Sequence, residues 1–153
     1  MKQPILFMIV GLPGSGKTTQ AKEIESEQKA LRFTPDEWIT ALYGNDVDRP
    51  HRDAVRDPVE LFQWQVAKRA LTLGCNVVLD WGFWAREERT KYRKEAETLG
   101  AQVKIIFLDA AIEELWSRIS ARPESSKGTL HITREELEQW AKMFEPPTNE
   151  ELN

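Results

Sequence analysis

Gly11, Gly16, Lys17 and Thr18 occupy the fixed positions of G-x-x-x-x-G-K-[ST] in a chain of 153 residues. Each residue type has a purpose at that spacing. Gly11, Gly14 and Gly16 free the backbone to curl so that successive N–H groups converge on one anion. Lys17 adds a point charge for the outer phosphates of a nucleotide, and the Thr18 hydroxyl is a hard oxygen ligand for Mg2+. A helix that starts here turns its positive end toward the same phosphates. The cradle is read as Gly11, Pro13, Gly14, Ser15, Gly16, Lys17, Thr18 and Thr19, holding the phosphates of a nucleotide together with Mg2+. A glycine-rich turn before any helix is the plain alternative. The apolar run Ile5-Leu-Phe-Met-Ile-Val10 directly ahead argues against it, because a phosphate loop sits between strand and helix.

Three aspartates stand near the ends of other strand-like runs. Asp80 follows Asn76-Val-Val-Leu and is placed either to hold Mg2+, directly or through water, or to cap the next turn. Asp36 lies in the first turn after Ala30-Leu-Arg-Phe33. It reads as the base that takes a proton from an acceptor hydroxyl, or as a residue that favours a helix start. Asp109 is read as a helix N-cap.

Four arginines and three tryptophans complete the candidates. Arg86 and Arg89 open a helix where cations oppose the macrodipole. Either they are solvated and offset by Glu87 and Glu88, or one of them faces the transfer site. Arg118 and Arg122 are four apart on a helix that runs into Pro123, Ser125, Ser126 and Gly128. They suit a lid over residues 122–132, one stacking on adenine and one reaching the phosphates; the alternative is ordinary surface charge. Trp38, Trp81 and Trp84 flank Asp36 and Asp80, where aromatic rings would line an acceptor pocket. Alternatively Trp38 staples a helix to Phe33, and the other two pack under the following helix. Trp64, Trp116 and Trp140 have no such placement.

The elements that must position these residues alternate between strand and helix. Strands are expected at Ile5–Val10, Ala30–Phe33, Asn76–Asp80 and Val103–Leu108. Helices are expected over 18–29, 35–43, 57–73, 85–99, from Asp109 to about Ala121, and over 133–144. Thr34 with Glu37, and Thr133 with Glu136, fit capping boxes, and Phe33/Trp38 and Ile132/Leu137 fit their hydrophobic staples. Residues 44–56 read as a proline-broken loop, the helix after Asp57-Pro58 as largely buried, and the segment after Glu145 as an acidic tail. This alternation implies an α/β fold, a parallel sheet with helices on both faces, and ligands at the carboxyl ends of the strands.

Composition sets the class. A length of 153 residues fits one domain over residues 1–153, and an apolar share of 41% with a charged share of 30% describes an ordinary soluble protein. No run approaches a membrane span, Met1-Lys2 is too short for a signal peptide, and the single cysteine, Cys75, reads as core. A cytoplasmic protein is expected. The net charge of −4 shows no overall basic signal for a long phosphate backbone, which favours a small acceptor over a nucleic acid.

Gly11–Thr19, Thr34-Pro-Asp36-Glu-Trp38, Asp80 with Arg86 and Arg89, and Arg118 with Arg122 together resemble the small P-loop kinases. The nearest flavour is the predicted-kinase group that includes polynucleotide 5′-kinase domains, chloramphenicol phosphotransferase and zeta toxins. The resemblance implies a three-layer P-loop nucleoside triphosphate hydrolase fold, of strand order 2-3-1-4-5. A fifth strand is not visible, so four or five are expected. It also implies that Asp36 activates the acceptor, Asp80 is the Walker B residue, and Arg118 and Arg122 belong to the lid. The expected activity is ATP- and Mg2+-dependent phosphoryl transfer to a hydroxyl of a small molecule. A polynucleotide 5′-kinase and a non-enzymatic ATP-binding switch are the rivals.

Overall fold

In the computed structural model, which describes residues 2–44, 48–122 and 131–153, Ile5–Val10 forms β1, Ala30–Phe33 β2, Asn76–Gly82 β3 and Gln102–Phe107 β4. The described strands make one parallel sheet of order β2-β3-β1-β4. No fifth strand occurs among the described residues. Because all four strands run the same way, their carboxyl ends share one edge, and the phosphate loop leaves the sheet from β1 at its interior.

The alternation of side chains along β1 and β3 divides the core. Leu6, Met8, Val10, Val77, Leu79 and Trp81 pack with Trp64, Ala67 and Leu71 of α3 (Arg49–Thr72) and Ala96 of α4 (Arg86–Thr98). Phe7, Ile9 and Val78 point the other way, onto Ala21 and Ile24 of α1 (Lys17–Glu27). Strands covered on both faces carry continuous apolar runs, which is why these two were plain in the sequence. A third cluster joins α5 (Ile112–Ser120) to α6 (Arg134–Met143) through Leu115, Ile119 and Leu137, with Leu12 of the phosphate loop packed against it. The Thr133–Glu136 capping box is present, and Ile132 and Leu137 share that cluster.

Several local expectations are corrected. Most of the expected loop over 44–56 is helix: α3 starts at Arg49, with Asp48 accepting from the His51 N–H and Pro50 in the first turn. It then runs through Pro58. Proline disfavours a helix interior by about 3 kcal/mol, but here the burial of Trp64, Ala67 and Leu71 against the sheet outweighs it. This helix, expected to be largely buried, is buried on one side only, and Leu61, Phe62, Val66 and Leu73 are exposed. Cys75 is exposed rather than core. Asp109 caps nothing, as α5 begins at Ile112 behind Ala111. The acidic tail is docked, ending in a short α7 (Asn149–Leu152).

Across the layer formed by α3 and α4, burial raises the Glu88 carboxyl to about 7. Glu60 and Asp57 add to the rise, and Arg56 and Arg89 oppose it. In the unfolded chain this group ionises near 4.5, so its proton leaves there first. Stability present below that pH is therefore lost as pH climbs from about 4.5 to about 7. We expect the melting-temperature gain of Glu88→Gln over the parent to grow between pH 5 and pH 8 in calorimetry. An equal gain at both would contradict the burial of Glu88.

Candidate active site

The phosphate loop is held open by backbone conformation and by its neighbours. Gly14 and Gly16 sit at φ 83° and 94°, in the left-handed region that glycine enters without steric cost. A Cβ on Gly14 would also lie 2.9 Å from the Leu115 carbonyl oxygen, so α5 presses directly on the loop. Lys17 begins α1, and its ammonium donates to the Leu12 carbonyl at 3.1 Å. Burial lowers its pKa to about 8, against the pull of Asp80 and Asp36 and with the push of Arg56 and Arg122. The Ser15 hydroxyl is buried inside the loop with no hydrogen-bond partner among the described residues.

Asp80 lies within β3 rather than at its end, where the strand carries one extra residue relative to β1. Its Oδ2 accepts from the Thr18 hydroxyl at 2.8 Å and from the Thr34 hydroxyl at 3.1 Å. Burial raises its pKa, opposed by the Thr18 hydrogen bond and the Lys17 charge. Thr34 is indeed the N-cap residue of α2 (Pro35–Tyr43), but its hydroxyl serves Asp80 instead of capping. Glu37 pairs with Arg32 at 2.7 Å, so the expected capping box is not made. The staple is present: the Phe33 and Trp38 rings lie 5.9 Å apart, with Trp38 packed on the core.

Asp36, at the second position of α2, is 44% exposed. The guanidinium of Arg56 stands 3.5 Å from its carboxylate and that of Arg52 stands 3.9 Å away. Arg52 is buried and also donates to the Thr40 hydroxyl, while Arg56 donates to Glu60. These two arginines were missed because their segment was read as loop. Once residues 49–72 are helix, positions 52, 56 and 60 fall four apart on one face.

The remaining candidates divide. Arg118 donates to the Gly14 carbonyl at 3.1 Å, and Arg122 is near enough for its charge to depress Lys17. Most of the expected lid, residues 123–130, lies outside the described residues. Arg86 and Arg89 do not meet the cradle. Both pair with Glu151 of α7: Arg86 is solvated, as one expected reading had it, but its partner is Glu151, whereas Arg89 is only 1% exposed and fits neither reading. Trp81 is core too: its ring is buried against Phe83 and Tyr92, and its indole N–H donates to Gln63. Trp84 does touch the loop, donating to the Gly11 carbonyl at 3.3 Å. Its partner across 5.7 Å is Trp140, for which no place near the site was foreseen.

A buried strand, a glycine loop with Lys17 and Thr18, and a β3 aspartate bonded to that threonine define a P-loop nucleoside triphosphate-binding domain of kinase-like architecture. Residues 6–147 match the family described as an AAA domain, AAA_33, and the chain belongs to it. Among solved structures it is similar to a kinase candidate from Chloroflexus aurantiacus, at 19% identity and TM-score 0.78 over 96% of this chain and 83% of that one. It is also similar to a chain in the Pnkp1/Rnl/Hen1 RNA repair complex, at 23% identity and TM-score 0.75 over 94% of this chain and 44% of that one. A gluconokinase from Sinorhizobium meliloti aligns at 19% identity and TM-score 0.62 over 99% and 81%. No curated protein matches. No helix among the described residues is long and apolar enough to cross a membrane.

The core position of Trp81 has a measurable consequence. We expect Trp81→Leu to cost about 2–4 kcal/mol in denaturant unfolding, the range for large-to-small core changes. Unchanged stability would return its ring to the crevice.

Proposed function

We propose that this chain is an ATP- and Mg2+-dependent phosphotransferase that acts on a hydroxyl group of a small molecule. The observation that carries the reading is the pair of aspartates at the carboxyl edge. Asp80 is buried and bonded to Thr18, while Asp36 is half exposed and held by a different set of groups. A nucleotide-binding switch needs the first; a transferase needs both.

In this reading the N–H groups of the loop, with Lys17, hold the β- and γ-phosphates. Thr18 and Asp80 present hard oxygens 2.8 Å apart, a donor set that fits Mg2+, which takes few protein ligands and completes its shell with phosphates and water. When bound, that ion neutralises charge on the phosphates. Asp36 orients the acceptor hydroxyl and receives its proton. Arg56 and Arg52 hold the carboxylate in position for that role. Arg118 and Arg122 neutralise negative charge on the side of α5. Trp84 and Trp38 remain the tryptophans available to an acceptor.

The net charge of −4 and the likeness to a gluconokinase support a small acceptor. The likeness to a chain of the RNA repair complex favours a polynucleotide 5′-end as the second reading. Salt-sensitive binding of oligonucleotides would select it. The direct test is a panel of hydroxyl compounds incubated with ATP and Mg2+ and scored by mass for the gain of one phosphoryl group. With an acceptor in hand, Asp36→Asn should keep ATP affinity and lower kcat by roughly 10²–10⁴, the usual contribution of a positioned base. Full activity in that variant would reduce Asp36 to a helix-start residue. A panel with no phosphorylated product would leave the switch reading.

A further inference from the structure

Arg89 is the largest side chain buried to this degree, and its charge is met by the other end of the chain. Its Nε donates to Glu151 Oε2 at 2.7 Å and its Nη2 to Oε1 at 3.4 Å. Arg86 approaches the same carboxylate at 3.3 Å, and Arg93 donates to the Glu151 backbone carbonyl at 2.6 Å. Three arginines of α4 thus converge on one residue of α7.

The third arm of Arg89 reaches toward the site. Its Nη1 donates to the Phe83 carbonyl at 2.7 Å. Phe83 has φ 46° directly after Gly82 at 87°, two left-handed residues in a row. A bulky residue persists in that region only when its surroundings dictate it. This turn grips the phosphate loop. Gly82 accepts from the Gly11 N–H at 3.0 Å, and Trp84 donates to the Gly11 carbonyl at 3.3 Å. The C-terminal segment holds the turn a second time, where the Glu145 N–H donates to the Trp84 carbonyl at 2.8 Å.

We infer that α7 is a clasp for the phosphate loop: Glu151 and Arg89 are positioning residues that set the loop's geometry through the left-handed turn at Gly82–Trp84. The inference rests on the reading of Gly11–Thr19 as the nucleotide site. It gives Arg86 and Arg89 a purpose at a helix start that disfavours cations. It also assigns the last residues of the chain to nucleotide affinity, although none of them touches the cradle.

The test compares the full chain with Glu151→Gln by two measurements. Hydrogen exchange without nucleotide reads the coupling itself: the Gly11 amide should exchange at least tenfold faster in the variant. Calorimetric titration at a temperature where both proteins are folded reads its effect, with ATP Kd expected to rise about tenfold. Leu71→Ala, a core change on α3 that removes none of the clasp's hydrogen bonds, controls for simple destabilisation and should leave both readouts near the parent's. If Glu151→Gln does not fold, Glu151→Asp keeps the charge but withdraws it from the arginine fork, and should weaken ATP at least threefold. Exchange at Gly11 within twofold of the parent in the folded variant, or an equal change in Leu71→Ala, would overturn the clasp. If the parent binds no ATP, the nucleotide reading falls, while exchange at Gly11 still decides the coupling.

Discussion

One oxygen of Asp80 accepts hydrogen bonds from Thr18 and Thr34, and the arrangement of the crevice depends on that junction. The three residues come from the first turn of α1, the N-cap of α2 and the body of β3, with Asp80 lying 62 residues from Thr18 and 46 residues from Thr34 in the chain. Burying a carboxylate is costly unless its lone pairs are used. Two hydroxyls and the nearby Lys17 charge meet that cost, although burial still dominates and keeps the carboxyl pKa above its ordinary value. The diversion of Thr34 into this junction leaves α2 without a side-chain cap and leaves Glu37 to Arg32. Local helix stability yields to the site.

The charges around the junction are arranged in opposition. Lys17 is depressed by burial and by Arg56 and Arg122, and supported by Asp80 and Asp36. Arg56 in turn bridges Asp36, Glu60 and the Trp81 carbonyl. A group of alternating charges around one crevice is poised for a polyanion whose phosphates would favour a fully protonated Lys17. The low-dielectric surroundings that penalise each charge alone also strengthen its response to such a ligand.

Much of this was legible in the sequence, for reasons that differ by element. β1, β3 and β4 are apolar runs, and the loop at Gly11–Thr18 is a spacing that sterics and phosphate chemistry both require. Thr133–Glu136 is a self-contained cap, so local residues determine it. The start of α3 was misread because Pro50 was weighed as a breaker and Asp57-Pro58 as a fresh helix start, although Asp48 and Pro50 form a helix-start signal of their own. The roles of Arg52 and Arg56 were lost with it. Trp81 and Arg89 were misplaced for another reason: their partners, Gln63 and Glu151, are set by tertiary packing across 18 and 62 residues, which no local pattern reveals.

If Thr18 and Asp80 together form the magnesium end of the nucleotide site, ATP affinity should depend on that ion only while both oxygens are present. The direct measurement is calorimetric titration of ATP into the parent and into Asp80→Asn, each with millimolar Mg2+ and with chelator. The account predicts that Mg2+ tightens ATP binding by tenfold or more, about 1.4 kcal/mol, in the parent and by less than twofold in the variant. Equal tightening in both proteins, or none in the parent, would contradict it.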